Sequence, residues 1–204
     1  MNLVFKEKKY VIIRKAISEE LCNFGMKYLD LMGDRGNLDT DAQMWDTQNS
    51  ILKKDHSKAG YATFFGETIL SILKSDIEMY TGFKLTPTYS YSRIYDRGAI
   101  LGRHTDRPAC EISASINLGY TDGKPWPLLL EDINGVKQVV DLDKGDMILY
   151  RGIELPHWRE TNTYCDKLYQ LFIHYVETDG RYMREKFDGR KMLGVKYSED
   201  KYNR

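Results

Sequence analysis

The sequence predicts a mainly β fold with N-terminal helices, in which the β part forms a double-stranded β-helix, or jelly roll. First, apolar residues follow a helical spacing in the N-terminal part, whereas extended runs dominate from Lys84 onward. Second, eight short extended runs separated by turn residues are typical of a jelly roll. Third, 204 residues with 42% hydrophobic and 29% charged content are ordinary for one globular domain with a sizeable core.

Two helices are predicted in the N-terminal part, after a short strand at 10–14. Ser18 is placed to cap the first helix, which ends near Gly33. The second covers 63–80, and Gly82 ends it. These elements form a helical support before the catalytic core.

The eight extended segments define the β core. Residues 33–60 are rich in Asp, Asn, Gln and Gly, which indicates a long loop. Within the charged tail, residues 181–187 are predicted to form a helix. We therefore divide a single 1–204 domain into a support (1–83), a jelly-roll core (84–178) and a tail (179–204). The predicted strands are Thr86–Tyr95, Leu101–Asp106, Glu111–Leu118, Leu128–Glu131, Lys137–Leu142, Asp146–Tyr150, His157–Arg159 and Leu168–Val176.

A sparse pattern of metal-ligand residues lies inside this core. His104 and Asp106 are two residues apart, so on a strand both project to the same face. His157 follows an apolar run later in the chain, and two imidazoles with one carboxylate are the ligand set of non-haem Fe(II) oxygenases. A structural zinc site would need a fourth ligand, and no cysteine has zinc-motif spacing. The pattern predicts an open iron site.

Several motifs in this order resemble the 2-oxoglutarate/Fe(II)-dependent dioxygenases, most closely the prolyl-4-hydroxylase-like branch. The resemblance covers roughly residues 84–178. Tyr95-Asp96-Arg97-Gly98 is similar to the family's Y-x-x-G before the H-x-D, and 144–150 to its glycine turn and apolar strand. Lys167 stands ten positions after His157, where the family's 2-oxoglutarate-binding lysine is found. The family's Gly-Gly-x-Thr segment is replaced by Gly123-Lys124-Pro125-Trp126-Pro127, so a proline substrate does not follow.

The resemblance implies a reaction and a set of roles. His104, Asp106 and His157 would hold Fe(II), and 2-oxoglutarate would chelate the metal through its 2-oxo acid end. Lys167, with Tyr95, would pair with the far carboxylate, and Arg159 is the competing cation because it shares strand parity with His157. With O2, the co-substrate would become succinate and carbon dioxide, while a peptidyl residue such as proline, or a small molecule, is hydroxylated.

Other residues are weaker candidates. Arg107 follows Asp106 and either turns towards substrate or lies at the surface, and Ser115 faces a polar cavity or solvent. Trp126 and Trp158 either line a substrate cleft or pack in the core. His174 is predicted to be structural.

Composition restricts the classes of partner. Thirty basic and thirty acidic residues cancel, which argues against broad attraction to nucleic acid or to anionic membrane. The N-terminal segment has no signal-peptide core, no segment is long enough to span a bilayer, and three scattered cysteines indicate reduced thiols. We therefore expect a cytoplasmic protein; its oligomeric state is not predicted.

Two other function classes fit the same pattern. One is a cupin-type metal-dependent isomerase or hydrolase, which would use the triad without 2-oxoglutarate. The other is a non-enzymatic, cupin-like jelly-roll binding module in which the H-x-D motif holds no metal. A cation for a distal carboxylate separates the oxygenase from the first alternative, and ferrous-iron binding separates both enzymes from the second.

Overall fold

A computed structural model describes residues 3–40 and 56–195, and its architecture confirms the predicted fold class. Two antiparallel sheets face each other, and the helices cover one of them. The helices are α1 (Leu3–Lys8), α2 (Glu19–Asp34) and α3 (Phe64–Thr81). The strands are β1 (Tyr10–Ile13), β2 (Asp39–Thr40), β3 (Ser57–Tyr61), β4 (Leu85–Asp96), β5 (Leu101–His104), β6 (Ile112–Thr121), β7 (Leu128–Glu131), β8 (Lys137–Val140), β9 (Met147–Tyr150), β10 (His157–Arg159) and β11 (Lys167–Glu177).

The sheets differ in size and in what they cover. The major sheet has the order β1-β9-β6-β11-β4-β3-β2, and the minor sheet has the order β5-β10-β7-β8. One face of the major sheet packs on α2 and α3, as Tyr175 shows by donating its hydroxyl to the Leu70 carbonyl at 2.5 Å. The other face looks towards the minor sheet, and apolar residues of β1, β7, β8 and β9 pack between the two. The predicted metal-binding side chains lie in this space.

The predicted helix ends are confirmed. The Ser18 hydroxyl accepts a hydrogen bond from the backbone N–H of Leu21, and Thr63 caps α3 in the same way. Gly82 ends α3 in a left-handed conformation with φ of 76°, which glycine adopts without a steric penalty. Among the described residues there is no helix with the length and apolar character that a membrane crossing requires.

Outside the jelly-roll core, two local predictions are wrong and one helix was not predicted. The supposed loop 33–60 contains β2 and β3, which extend the major sheet; residues 41–55 of that loop lie outside the described part of the chain. The predicted helix at 181–187 is instead a pair of short 3-10 turns over Met183–Gly189. Residues 3–8, for which no element was predicted, form α1.

Candidate metal centre and co-substrate pocket

Three donor side chains meet between the sheets. His104 ends β5, Asp106 follows two residues later, and His157 begins β10, where it is paired directly with His104. The Asp106 Oδ1 atom lies 3.7 Å from Nε2 of His104 and 3.6 Å from Nε2 of His157. The two imidazole centroids are 4.3 Å apart. Residues that the sequence separates by about fifty positions therefore form one potential chelate.

Asp106 reaches this position by a route that strand alternation did not predict. The strand stops at His104, and the backbone N–H of Asp106 donates to the Gly152 carbonyl at 2.9 Å. Any side chain at position 152 would collide with the Asp106 carboxylate, so glycine is required for this close approach. The loop after β9 thus aims the carboxylate, whereas the prediction of a single strand through residue 106 is wrong.

The backbone also orients both imidazoles. Nδ1 of His104 lies 2.8 Å from the Gly102 carbonyl, and Nδ1 of His157 lies 2.9 Å from the Leu155 carbonyl. In the neutral rings the Nδ1–H groups donate to these carbonyls, which leaves an unprotonated Nε2 on each ring facing Asp106. Metal-binding histidines are commonly held in this way.

The electrostatics of the three groups favour metal binding. Burial and the adjacent His157 lower the pKa of His104, which favours the neutral ring that a metal needs. Burial alone would raise the pKa of Asp106, but His157, together with His174 and His104, holds the pKa below its usual range. Burial alone would lower the pKa of His157, yet the adjacent Asp106 carboxylate raises it.

A second layer of polar groups supports Asp106, and sequence reasoning missed it. The Ser113 hydroxyl donates to Oδ2 of Asp106 at 2.9 Å and lies 3.0 Å from Nδ1 of His174. Burial lowers the pKa of His174 to about 4, so this ring is neutral near pH 7. His174 lies on the opposite face of β11 from Lys167, as expected, but that face is the metal side. His174 stands an even number of residues after Leu168, an apolar residue of the same strand. That spacing could have placed the two side chains on the same face from the sequence alone.

Arg159 is a buried cation in this cavity. It is 2% exposed, donates to the Trp126 carbonyl, and its guanidinium lies 5.1 Å from the centroid of the Trp126 ring. Burial lowers the pKa of Arg159 to about 10, although the nearby Tyr95, Tyr150 and Cys165 act to raise it. No carboxylate in the described part of the chain neutralises it.

Lys167 has the opposite environment. It is exposed at the first position of β11, paired with Asp96 and Thr121. The next residue, Leu168, packs in one cluster with Tyr95 and Trp126. Because successive strand residues point to opposite faces, Lys167 is directed away from this cluster.

The remaining candidates divide by location. The Ser115 hydroxyl is buried between the sheets and donates to Gln170 Oε1 at 2.8 Å, and Trp126 packs edge-on against Tyr95 with centroids 5.4 Å apart. Trp158 alternates with His157 on β10, so it lies on the outer face of the minor sheet, beside Arg103 and Lys137. A substrate role for any of them stays a prediction.

Arg107 turns towards the C-terminal segment. Its guanidinium makes two hydrogen bonds to Asp188, at 2.8 and 3.0 Å, and lies 4.5 Å from the centroid of the Tyr89 ring. This pairing attaches the segment beside the metal centre. A role for Arg107 in substrate binding stays a prediction.

Two nitrogen donors and one carboxylate oxygen fit a divalent iron ion. The set is a 2-His-1-carboxylate triad with no thiolate among the facing atoms, which suits a metal that keeps open coordination positions. A second grouping of Asp106, Cys110 and His174 is also within ligand distance. Its side chains already bond to Ser113 and Tyr89, so we interpret it as the support of the first.

The fold is shared with solved enzymes, although no protein-family model and no curated protein matches the sequence. A prolyl-4-hydroxylase from Pseudomonas putida aligns with a TM-score of 0.66 at 13% identity, over 85% of this chain and 95% of that one. A prolyl hydroxylase from Trichoplax adhaerens, solved with a hypoxia inducible factor peptide fragment, gives 0.69 at 13% identity, over 89% of each chain. The chain has the fold of the 2-oxoglutarate/Fe(II)-dependent oxygenases. The epimerase SnoN, in complex with Fe3+, alpha ketoglutarate and nogalamycin RO, aligns at 0.68 and 9% identity, over 86% of this chain and 82% of that one.

Proposed function

We propose that this protein is an Fe(II)/2-oxoglutarate-dependent oxygenase, which converts 2-oxoglutarate and O2 to succinate and CO2 as it oxidises a second substrate. The observation that carries the proposal is the meeting of His104, Asp106 and His157 around one point, beside a buried cation. A binding module does not need such a site, since a buried charge without a carboxylate partner costs folding free energy.

Each part of the site has a place in this proposal. The three donors would hold Fe(II), and the bound metal with 2-oxoglutarate would supply the oxidising chemistry. Hydrogen bonds from the imidazoles to the backbone and from Ser113 to Asp106 keep the ligands in position. The surrounding apolar clusters exclude water from the reacting groups.

We further propose Arg159, rather than Lys167, as the partner of the distal carboxylate of 2-oxoglutarate. Arg159 is fully buried, lies beside Tyr95 and extends from the same strand as the metal ligand His157. A planar guanidinium also holds a carboxylate through two parallel hydrogen bonds. The same cation separates this proposal from a cupin-type isomerase or hydrolase, which has no distal carboxylate to bind.

For the second substrate we propose hydroxylation of a peptidyl residue, with proline as the first to be tested. Two of the three aligned structures described above are prolyl hydroxylases, whereas the third is an epimerase solved with nogalamycin RO. Small molecules therefore belong in the same panel. We also propose a cytoplasmic location, which the three free, buried cysteines support.

The test begins without a second substrate. Anaerobic addition of Fe(II) and 2-oxoglutarate should produce a visible metal-to-ligand charge-transfer band, and a flat spectrum at saturating ligand would reject the oxygenase. Succinate formation is then measured over a panel of prolyl peptides, free amino acids, small metabolites and nucleobases. Mass analysis should find a product that has gained one oxygen atom.

A further inference from the structure

Tyr150 places a hydroxyl group at the metal centre, and the three-donor motif does not account for it. Tyr150 ends β9, is 2% exposed and faces the space between the sheets. Its ring meets the His157 ring edge-on, with centroids 4.9 Å apart and an angle of 68° between the planes. Its Oη atom lies 3.4 Å from Nε2 of His157. That nitrogen is the atom that faces Asp106.

The direction of this contact follows from the tautomer of His157. Nδ1 of His157 donates to the Leu155 carbonyl at 2.9 Å, so Nε2 of the neutral ring is an acceptor and the Tyr150 hydroxyl is the donor. A metal ion takes the same lone pair of Nε2. With a metal bound, the hydroxyl therefore needs another acceptor, because an unpaired buried hydroxyl is costly.

Ser113 is the nearby protein alternative, but it already has several partners. Tyr150 and Ser113 are directly opposed on β9 and β6, and the two hydroxyls interact. The Ser113 oxygen also contacts Asp106, the Cys110 carbonyl and His174. Its one proton is shared between two acceptors, Asp106 and the Cys110 carbonyl, and His174 can use one of its two lone pairs, so at most one lone pair of this oxygen is left for Tyr150. The acceptor that the metal centre itself adds is a ligand oxygen beside His157.

We propose that the Tyr150 hydroxyl donates a hydrogen bond to a carboxylate oxygen of the metal-bound 2-oxo acid. Tyr150 would then be a fourth polar group of the site. The inference rests on the proposed function and extends it to the 2-oxo acid end of the co-substrate, opposite the end assigned to Arg159.

The test is Tyr150→Phe, which deletes one oxygen atom and keeps the ring that packs on His157. The matched control is Tyr169→Phe, since the hydroxyl of Tyr169 donates to Asp30 on the helical side of the same sheet. Metal binding is measured anaerobically with Mn(II) alone, and co-substrate binding with Fe(II) and 2-oxoglutarate through the charge-transfer band.

We expect Tyr150→Phe to leave Mn(II) affinity within about twofold, to weaken 2-oxoglutarate binding roughly 10- to 100-fold, and to move the band. Tyr169→Phe should change none of these. An unchanged affinity and band in Tyr150→Phe would overturn the inference while leaving the oxygenase in place. A phenolate-to-iron band in the ferric protein that Tyr150→Phe removes would show a metal ligand instead, and would also overturn it. A wild-type protein without any band would reject the proposed function itself.

Discussion

Two cationic residues follow His157 in the chain, Arg159 on strand β10 and Lys167 at the start of strand β11. Their environments are opposite. Arg159 is 2% exposed and surrounded by aromatic rings, whereas Lys167 is exposed. Sequence spacing favoured Lys167, because the resemblance places a lysine ten residues after the distal histidine. The comparison teaches that the face on which a side chain lies, and not its distance along the chain, decides whether it can reach the cavity.

The largest effect is expected from removing a ligand of the proposed metal site, because neither cation would have a bound co-substrate to pair with without the metal. Asp106→Ala should lower Fe(II) affinity by more than about 100-fold and abolish the charge-transfer band, since a metal ligand contributes more than the residues that support it. Isothermal titration and absorption spectra measure this. His56→Ala is the control, because His56 lies beside Gly98, outside the donor set. A band that persists in Asp106→Ala would show that the ligands were misassigned.

The two cations can be compared directly by matched substitutions. Arg159→Gln should raise the dissociation constant of 2-oxoglutarate by at least about 30-fold, because it removes one partner of a buried charge pair. Lys167→Gln should change it by no more than about twofold, since an exposed charge is screened by water. Titration of the band gives both constants. The reverse order of effects would return the anchor to Lys167.

A stability measurement sharpens the contrast in the ligand-free protein. Arg159→Met replaces a buried, unneutralised guanidinium with an apolar chain of similar length, so the Tm should rise by about 2–4 °C. Lys167→Met should leave the Tm unchanged, because Lys167 is exposed. Calorimetry without metal or co-substrate measures both. A lower Tm in Arg159→Met would mean that its contacts with Trp126 outweigh the cost of burying the charge.

The smallest effect is expected at Trp158, between the two critical residues of β10. Its side chain lies outside the minor sheet, near Arg103 and Lys137, so Trp158→Ala should leave 2-oxoglutarate binding within about twofold. The loss of exposed cation–π contacts should lower the free energy of unfolding by about 1 kcal/mol. Urea denaturation and the band titration measure these values. A large loss of binding would place Trp158 in the cavity after all.

Much of the fold was readable because local signals agree with the tertiary structure. The strands at 128–131 and 157–159 were predicted with the bounds that the structure has, and the predicted ends at Ser18 of α2 and Gly82 of α3 are in place. Strand β3 was missed because its five residues, SKAGY, lack an apolar alternation and are recruited by pairing with β4.

The sequence by itself determined the jelly-roll class and the presence of His104, Asp106 and His157, because hydrophobic periodicity and the chemistry of ligand side chains are local properties. Only the tertiary structure decided which other groups join them. The Gly152 carbonyl accepts a hydrogen bond from the backbone of Asp106. His174 and Tyr150 lie next to the three donor residues, and Arg159 is buried whereas Lys167 is exposed. Burial and strand pairing set these contacts, and both depend on segments that are far apart in the chain.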